Sequence, residues 1–233
     1  MIRTEDHERI RTVTLDRPER RNALTLSGLA DLERAVAGAE QPVVYLVGAG
    51  GAFSAGADFD VVGDVAAEGP EAIESFVDRG QRTMRAIETA DPVVVAGVDG
   101  PARGGGVELA LACDLRVATP DATFAETGVS LGLFGAWGGT ARLPEVVGTG
   151  DALDLSLSGR TVDAGAALRM GLVQRVVEEP RSVAEEVAGN DPAALRALKR
   201  LVRADGDREE GKRREREAFV ELLAARADDI VDG

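Results

Sequence analysis

The chain has 233 residues, 44% of them hydrophobic, and a net charge of −14 alongside a single cysteine and a single histidine. That length and composition suit one large α/β domain with a real core, and the acidic balance argues against nucleic acid and anionic membrane as general partners. With only Cys113 and only His7, an intrachain disulfide and a cysteine-cluster or histidine-rich metal site are excluded, no metal is expected, and a histidine-based nucleophile is disfavoured, so carboxylates and backbone donors must carry any catalysis.

Taken in order, Ile10–Leu15 (IRTVTL) alternates and predicts a strand. Arg17–Leu24 (RPERRNAL) follows as a turn and short loop, and Thr25 or Ser27 is placed to cap a helix through Leu29, Leu32 and Val36. Pro42–Val47 is a continuous apolar run, as expected of a strand covered on both faces. Gly48–Phe53 and Ser54–Asp58 read as consecutive turns. Helical spacing runs from Glu71 to Ile87, Asp91-Pro92 ends it, and Val93–Val98 is the next strand. Gly100–Gly106 turns the chain, and an apolar helical pattern starts at Val107. Short strands are predicted at Leu115–Ala118, Thr123–Glu126 and Leu172–Val177. Between them lie a glycine-punctuated, loosely structured stretch, Gly128–Gly139, and short helices over Ala141–Val147, Asp151–Ser156 and Ala164–Met170. Past Pro180 the pattern is helical: Val183–Ala188, Ala193–Ala204 and Arg208–Ile230. The apolar runs are too short to span a bilayer and the start lacks a signal-peptide pattern, so a cytoplasmic protein is expected.

Only Lys199 and Lys212 are lysines; every other basic residue is arginine. A GC-rich genome accounts for the arginine bias but does not require the acid excess, which suggests a protein suited to high salt.

The stretch Gly97–Leu115 (GVDGPARGGGVELALACDL) organises the chain. A strand feeding a glycine turn and a helix start gathers unpaired backbone N–H groups and a positive helix end at one place. Glycine lets a ligand reach the main chain with no Cβ in the way. Glu108 falls in the first helical turn, where the dipole favours its ionised form. The pairing suggests a carbonyl that becomes an oxyanion beside an acid/base, and equally fits a plain turn with Glu108 as dipole partner. The strand and Gly48-x-Gly50 invite a dinucleotide-binding reading, but Phe53 stands where that fingerprint wants Gly or Ala, and a second turn follows instead of a helix. Gly48–Gly51 is therefore read as a tight connection.

Three stretches together resemble the enoyl-CoA hydratase/isomerase (crotonase) family: Arg17–Leu24, Ala52–Asp58 (AFSAGAD) and Gly100–Ala110 (GPARGGGVELA) with Cys113-Asp114. Leu131-Gly132-Leu133, Gly138–Leu143 (GGTARL) and Gly159–Val177 add support, so the resemblance covers nearly the whole chain in order. It implies an α/β fold, a crotonase-like spiral of ββα units over residues 1–180 that binds acyl-CoA. A C-terminal helical subdomain, 181–233, would build a homotrimer or dimer of trimers. It also implies a coenzyme A thioester substrate and no other cofactor. Mapped residue by residue, the N–H groups of Ala57 and Gly105 would form the oxyanion hole and Glu108 would be one catalytic glutamate. Ala55, Ala57, Asp58 and Phe59 would line the CoA and acyl path, and Arg20 or Arg21 would meet CoA phosphates.

Two departures matter. Aligning Phe124 and Leu131-Gly132 with the family places Gly128 where a second catalytic glutamate belongs. Glu126 lies two positions earlier, so a site with one protein carboxylate is expected, and Asp60 and Asp64 are read as solvated surface acids. The family's last helix packs on a neighbour and closes over CoA; here it is expected to be short. Trp137 and Phe134 are read as packing residues. The reaction implied is hydration of a 2-enoyl-CoA. Double-bond isomerisation, other enolate chemistry and acyl-CoA binding without turnover stand as alternatives because of Gly128.

Overall fold

The computed structural model describes residues 1–227. Its main sheet has six strands in the order β1-β2-β3-β4-β6-β9, formed by Ile2–His7, Ile10–Leu15, Val43–Gly48, Val93–Val98, Leu115–Ala118 and Arg175–Val176. β1 pairs antiparallel with β2, and the remaining pairs are parallel. A second sheet holds β5 (Pro101–Arg103), β7 (Thr123–Ala125) and β8 (Val162–Asp163). Short strands therefore occur where the sequence pattern predicts only turns. β1 is missing from that pattern because its side chains are mostly exposed and alternate with nothing.

The helices follow the chain. α1 (Leu26–Ala37) is capped by the Thr25 hydroxyl, which accepts the Gly28 N–H at 3.1 Å, an interaction worth about 1 kcal/mol. α2 (Phe59–Glu68) and α3 (Pro70–Glu88) meet at Gly69, and α4 spans Gly105–Ala112. α5 (Gly139–Ser158) is kinked at Gly148, whose φ is 79°, where the sequence places a turn between two helices. α6 (Ala164–Arg169), α7 (Arg181–Ala188), α8 (Pro192–Arg203) and α9 (Arg208–Ala225) complete the described elements. The end expected of the last helix, up to Ile230, lies outside the described residues.

The units β4–β5–α4 and β6–β7–α5 repeat one plan: the first strand joins the large sheet, the second joins the small one, and a helix follows. This is the expected ββα spiral. α4 is buried along nearly its whole length, so it reads as apolar all round. Its last turn is tied to the C-terminal helices through Asp114. One carboxylate oxygen of Asp114 accepts the Val94 N–H at 2.7 Å and lies 2.9 Å from Lys199 Nζ; the other accepts from Arg203 at 2.8 Å.

Candidate active site

Three stretches lie side by side at the junction of the two sheets. Leu24 N–H donates to Gly56 O at 2.7 Å and Asp58 N–H donates to Leu24 O at 3.0 Å, a parallel bridge that engages the groups flanking Ala57. The Ala57 N–H therefore turns to the opposite side. On that side is Gly105: a Cβ at Gly56 would fall 2.7 Å from Gly105 N and 2.7 Å from Arg103 O. Gly105 opens α4, so its N–H has no carbonyl one turn back. Among the described residues neither N–H has a protein acceptor outside regular structure.

The scaffold beneath this pair is polar and local. The Asn22 side chain donates to Ala49 O at 2.9 Å and Ala52 O at 2.8 Å, and accepts the Arg17 N–H at 3.0 Å. Ser54 Oγ donates to Asn22 O at 2.9 Å and accepts the Gly56 N–H at 3.1 Å. Ser54 also bridges Ala102. Gly106 must lack a side chain here, since its Cβ would meet Ser54 O at 2.3 Å.

Glu108 is 1% exposed. Its Oε1 accepts the backbone N–H of Trp137 at 2.8 Å and of Gly139 at 2.7 Å. Cβ atoms at Gly135 and Gly139 would fall 2.7 Å and 2.8 Å from the Glu108 side chain, so the glycine-punctuated stretch is shaped around this carboxyl. Burial raises the Glu108 pKa, and the two N–H donors only partly offset it. This corrects the expectation from the helix dipole, which neglects desolvation.

Glu126 shares a cavity of about 40 Å³ with Glu108, Gly128, Phe134, Gly139 and Ser156 among its lining residues. Its Oε1 is buried with no hydrogen-bond partner among the described residues. Burial, reinforced by the nearby Glu108, pushes its pKa up to about 8. The expectation of a single carboxylate is thus overturned: two carboxyls reach one cavity. The sequence reading missed this because it measured distance along an extended chain, whereas the 3-10 turn Thr127–Leu131 bends away immediately after Glu126. Gly128 itself is closely covered, its would-be Cβ lying 3.1 Å from Leu133 O.

The remaining predicted residues divide. Ala55 and Ala57 are half-buried beside the donors and Phe59 is 66% exposed at the start of α2. Asp58 does not present its carboxylate to a substrate path: it is buried, paired with Arg17, and caps α2 through the Asp60 N–H at 2.9 Å. Burial raises its pKa, but the Arg17 guanidinium and the Asp60 and Val61 N–H groups together hold it below the usual value. Arg20 is paired with Asp60 at 2.7 Å, so Asp60 is not a free acid. Arg21 is exposed, without a carboxylate partner among the described residues, and its carbonyl accepts the Ala55 N–H at 2.8 Å. Arg103, near enough to Arg21 for its pKa to be lowered by burial and then by that charge, bonds only carbonyls and the Thr123 hydroxyl. Trp137 is buried, but Phe134 is 74% exposed at the cavity and is not a packing residue. No helix follows Gly48–Phe53, since α2 begins only at Phe59, and a Cβ at Gly48 would strike Ala52 O at 2.1 Å, as in the tight connection expected.

The profile of the enoyl-CoA hydratase/isomerase family matches residues 5–229. The short-chain-enoyl-CoA hydratase of Clostridium acetobutylicum is 33% identical over 210 residues, 85% of this chain and 79% of that protein. The crotonyl-CoA hydratase of Syntrophomonas wolfei is 36% identical over 206 residues, 84% and 78% of the two chains. The crystal structure of enoyl-CoA hydratase from Bacillus anthracis superposes with a TM-score of 0.89 at 32% identity, covering 96% of this chain and 91% of that one. A Thermobifida fusca structure in complex with acetoacetyl-CoA gives 0.84 at 29% identity, covering 96% and 95%. The chain belongs to the enoyl-CoA hydratase/isomerase (crotonase) family.

Proposed function

We propose that the protein is a 2-enoyl-CoA hydratase. The observation that carries this reading is the pair of out-turned N–H groups, Ala57 and Gly105, with the clamped carboxyl of Glu108 on the first turn of the same helix that Gly105 opens. Donors aimed at a thioester carbonyl stabilise the enolate that forms when water adds at C3, an effect of about 10²–10³ in rate per donor. Glu108 accepts the proton of that water, and its two backbone donors hold the carboxylate in place. Arg21 and Arg103 form a cationic spot without acid partners among the described residues on an otherwise acidic protein, suited to the CoA phosphates. Ala55 and Phe59 line the approach. No resident cofactor is required by this chemistry.

The test is loss of the conjugated enoyl-thioester absorbance of crotonyl-CoA in molar KCl, with Glu108→Gln beside the parent. Turnover in the parent that falls about 10²–10⁴-fold in the variant supports hydration. A parent that binds crotonyl-CoA without turning it over sinks the reading. Gly128 then favours the second one, isomerisation of a 3-enoyl-CoA in the same cleft, and behind it a binding role.

The reading extends to assembly and place. Leu198, Val202, Phe219 and Val220 are 58–83% exposed on α8 and α9 and suit burial in a homotrimer or dimer of trimers. No described helix is long and apolar enough to cross a membrane, in keeping with a cytoplasmic enzyme. Light scattering on the purified protein gives the mass of the assembly directly.

A further inference from the structure

We propose that Glu126 is the proton donor to C2 of the acyl chain, replacing the carboxyl absent at Gly128 and dividing the reaction with Glu108. The inference rests on the acyl-CoA reading above and assigns this chain a residue outside the motif that carries the family's chemistry. Three observations support it. Glu126 and Glu108 line the same cavity, which is of the size of one or two waters. The Glu126 carboxyl is buried with an oxygen that no group among the described residues satisfies, a costly state unless the site uses it. The position aligned with the family's glutamate has no room for a side chain without moving Leu133 and Phe134.

The environments of the two carboxyls assign their roles. Glu108 accepts two backbone N–H bonds, which favour its anion, and Arg142 adds a distant positive charge. Glu126 has neither. The titratable group bearing on it is Glu108 itself, and the other lining groups of both cavities it borders are uncharged. Two buried carboxyls lining one small cavity disfavour a second charge, and the one whose anion is hydrogen-bonded is Glu108. Glu126 therefore rests protonated.

The step balances as follows. The water oxygen bonds C3 while its proton passes to Glu108, and the C2=C3 pair moves onto the thioester as an enolate held by Ala57 and Gly105. The Glu126 O–H then delivers its proton to C2, using the enolate pair to make the C–H bond. Glu126 is left ionised and Glu108 protonated, and proton return through water resets the pair. The sum is enoyl thioester plus water giving 3-hydroxyacyl thioester.

Two assays separate the roles: hydration of crotonyl-CoA, and exchange of the C2 protons of butyryl-CoA with D₂O, which needs the C2 acid/base but no water addition. Glu126→Gln is expected to lower both by about 10²-fold or more with KM within a few-fold of the parent, and to remove the alkaline limb of the pH–rate profile. Glu108→Gln is expected to lower hydration and retain most of the exchange. Thermal melting of both variants checks that they fold, and Glu126→Asp, which keeps a shorter acid, is expected to recover part of the exchange. Parental exchange and an unchanged pH profile in Glu126→Gln overturn the inference alone. A parent inactive in both assays overturns the reading on which it rests, and the inference with it.

Discussion

The indole of Trp137 lies against Cα of Gly105: a Cβ at Gly105 would fall 2.5 Å from the ring, and one at Gly80 on the opposite side 2.0 Å from it. Phe76 closes a third side at a centroid distance of 5.7 Å. The backbone N–H of the same tryptophan donates to Glu108. One residue thus touches both Gly105 and Glu108, the second donor and the base of the proposed reaction. Gly105→Ala is expected to displace the ring and lower kcat by about 10²-fold, the cost of a misplacement near 1 Å. A shift in tryptophan emission should accompany it, because Trp137 is the only tryptophan. Unchanged emission with unchanged kcat contradicts the packing.

Gly128→Glu tests whether the motif can be repaired. The added Cβ would press on Leu133 O at 3.1 Å and Phe134 Cα at 3.2 Å, so the backbone there must give by a few tenths of an ångström. The variant is expected to melt lower than the parent and to gain no activity while Glu126 is present. A several-fold rise in kcat with no loss of stability would show that the turn yields easily.

Glu126 also shapes stability against pH. Its pKa in the folded chain is raised to about 8, while an unfolded glutamate titrates near 4.3. The unfolded chain therefore releases the proton first, and the parent loses stability as pH rises from about 4.3 to about 8. Glu126→Gln removes that dependence. The melting temperature of the variant relative to the parent is expected to climb across this window and then level off. A constant difference from pH 5 to pH 8.5 means the carboxyl is ionised in the folded protein.

The net charge of −14 predicts a salt response. Self-repulsion among exposed carboxylates opposes folding and is screened by counter-ions, with the Debye length falling to about 3 Å at 1 M. The melting temperature is expected to rise by about 5 °C or more between 0.1 M and 2 M KCl. A flat or falling curve assigns the composition to codon bias alone.

Most of the fold was legible because burial follows the apolar pattern along the chain. Val93–Val98 reads as a strand and is one, and of the two cap candidates, Thr25 and Ser27, it is Thr25 that caps α1. α2 was hidden, since only Val65 of its ten residues is buried and nothing marks an inward face. Of the site, the glycine turns marked where Gly56 and Gly105 come together, because a side chain at either position would collide with the other segment or with Trp137. Glu126 was not legible, because its approach to Glu108 depends on a 3-10 turn and on the Gly128 packing, both tertiary facts. Asp58 misled for the reverse reason: its motif position suggests the path, and its partner Arg17 lies 41 residues away.

The two donors belong to segments nearly fifty residues apart, stitched by the Ser54–Ala102 bridge and by the Gly104 N–H bond to Ala125 O. A ribosome that has released only the first hundred residues has made Ala57 but nothing to set beside it. The pocket comes into being late, after Ala125 has emerged and docked, and Glu126 is the very next residue. Nascent or clipped chains that end before Ala125 thus lack both the strand partner of the Gly104 turn and the Glu126 carboxyl.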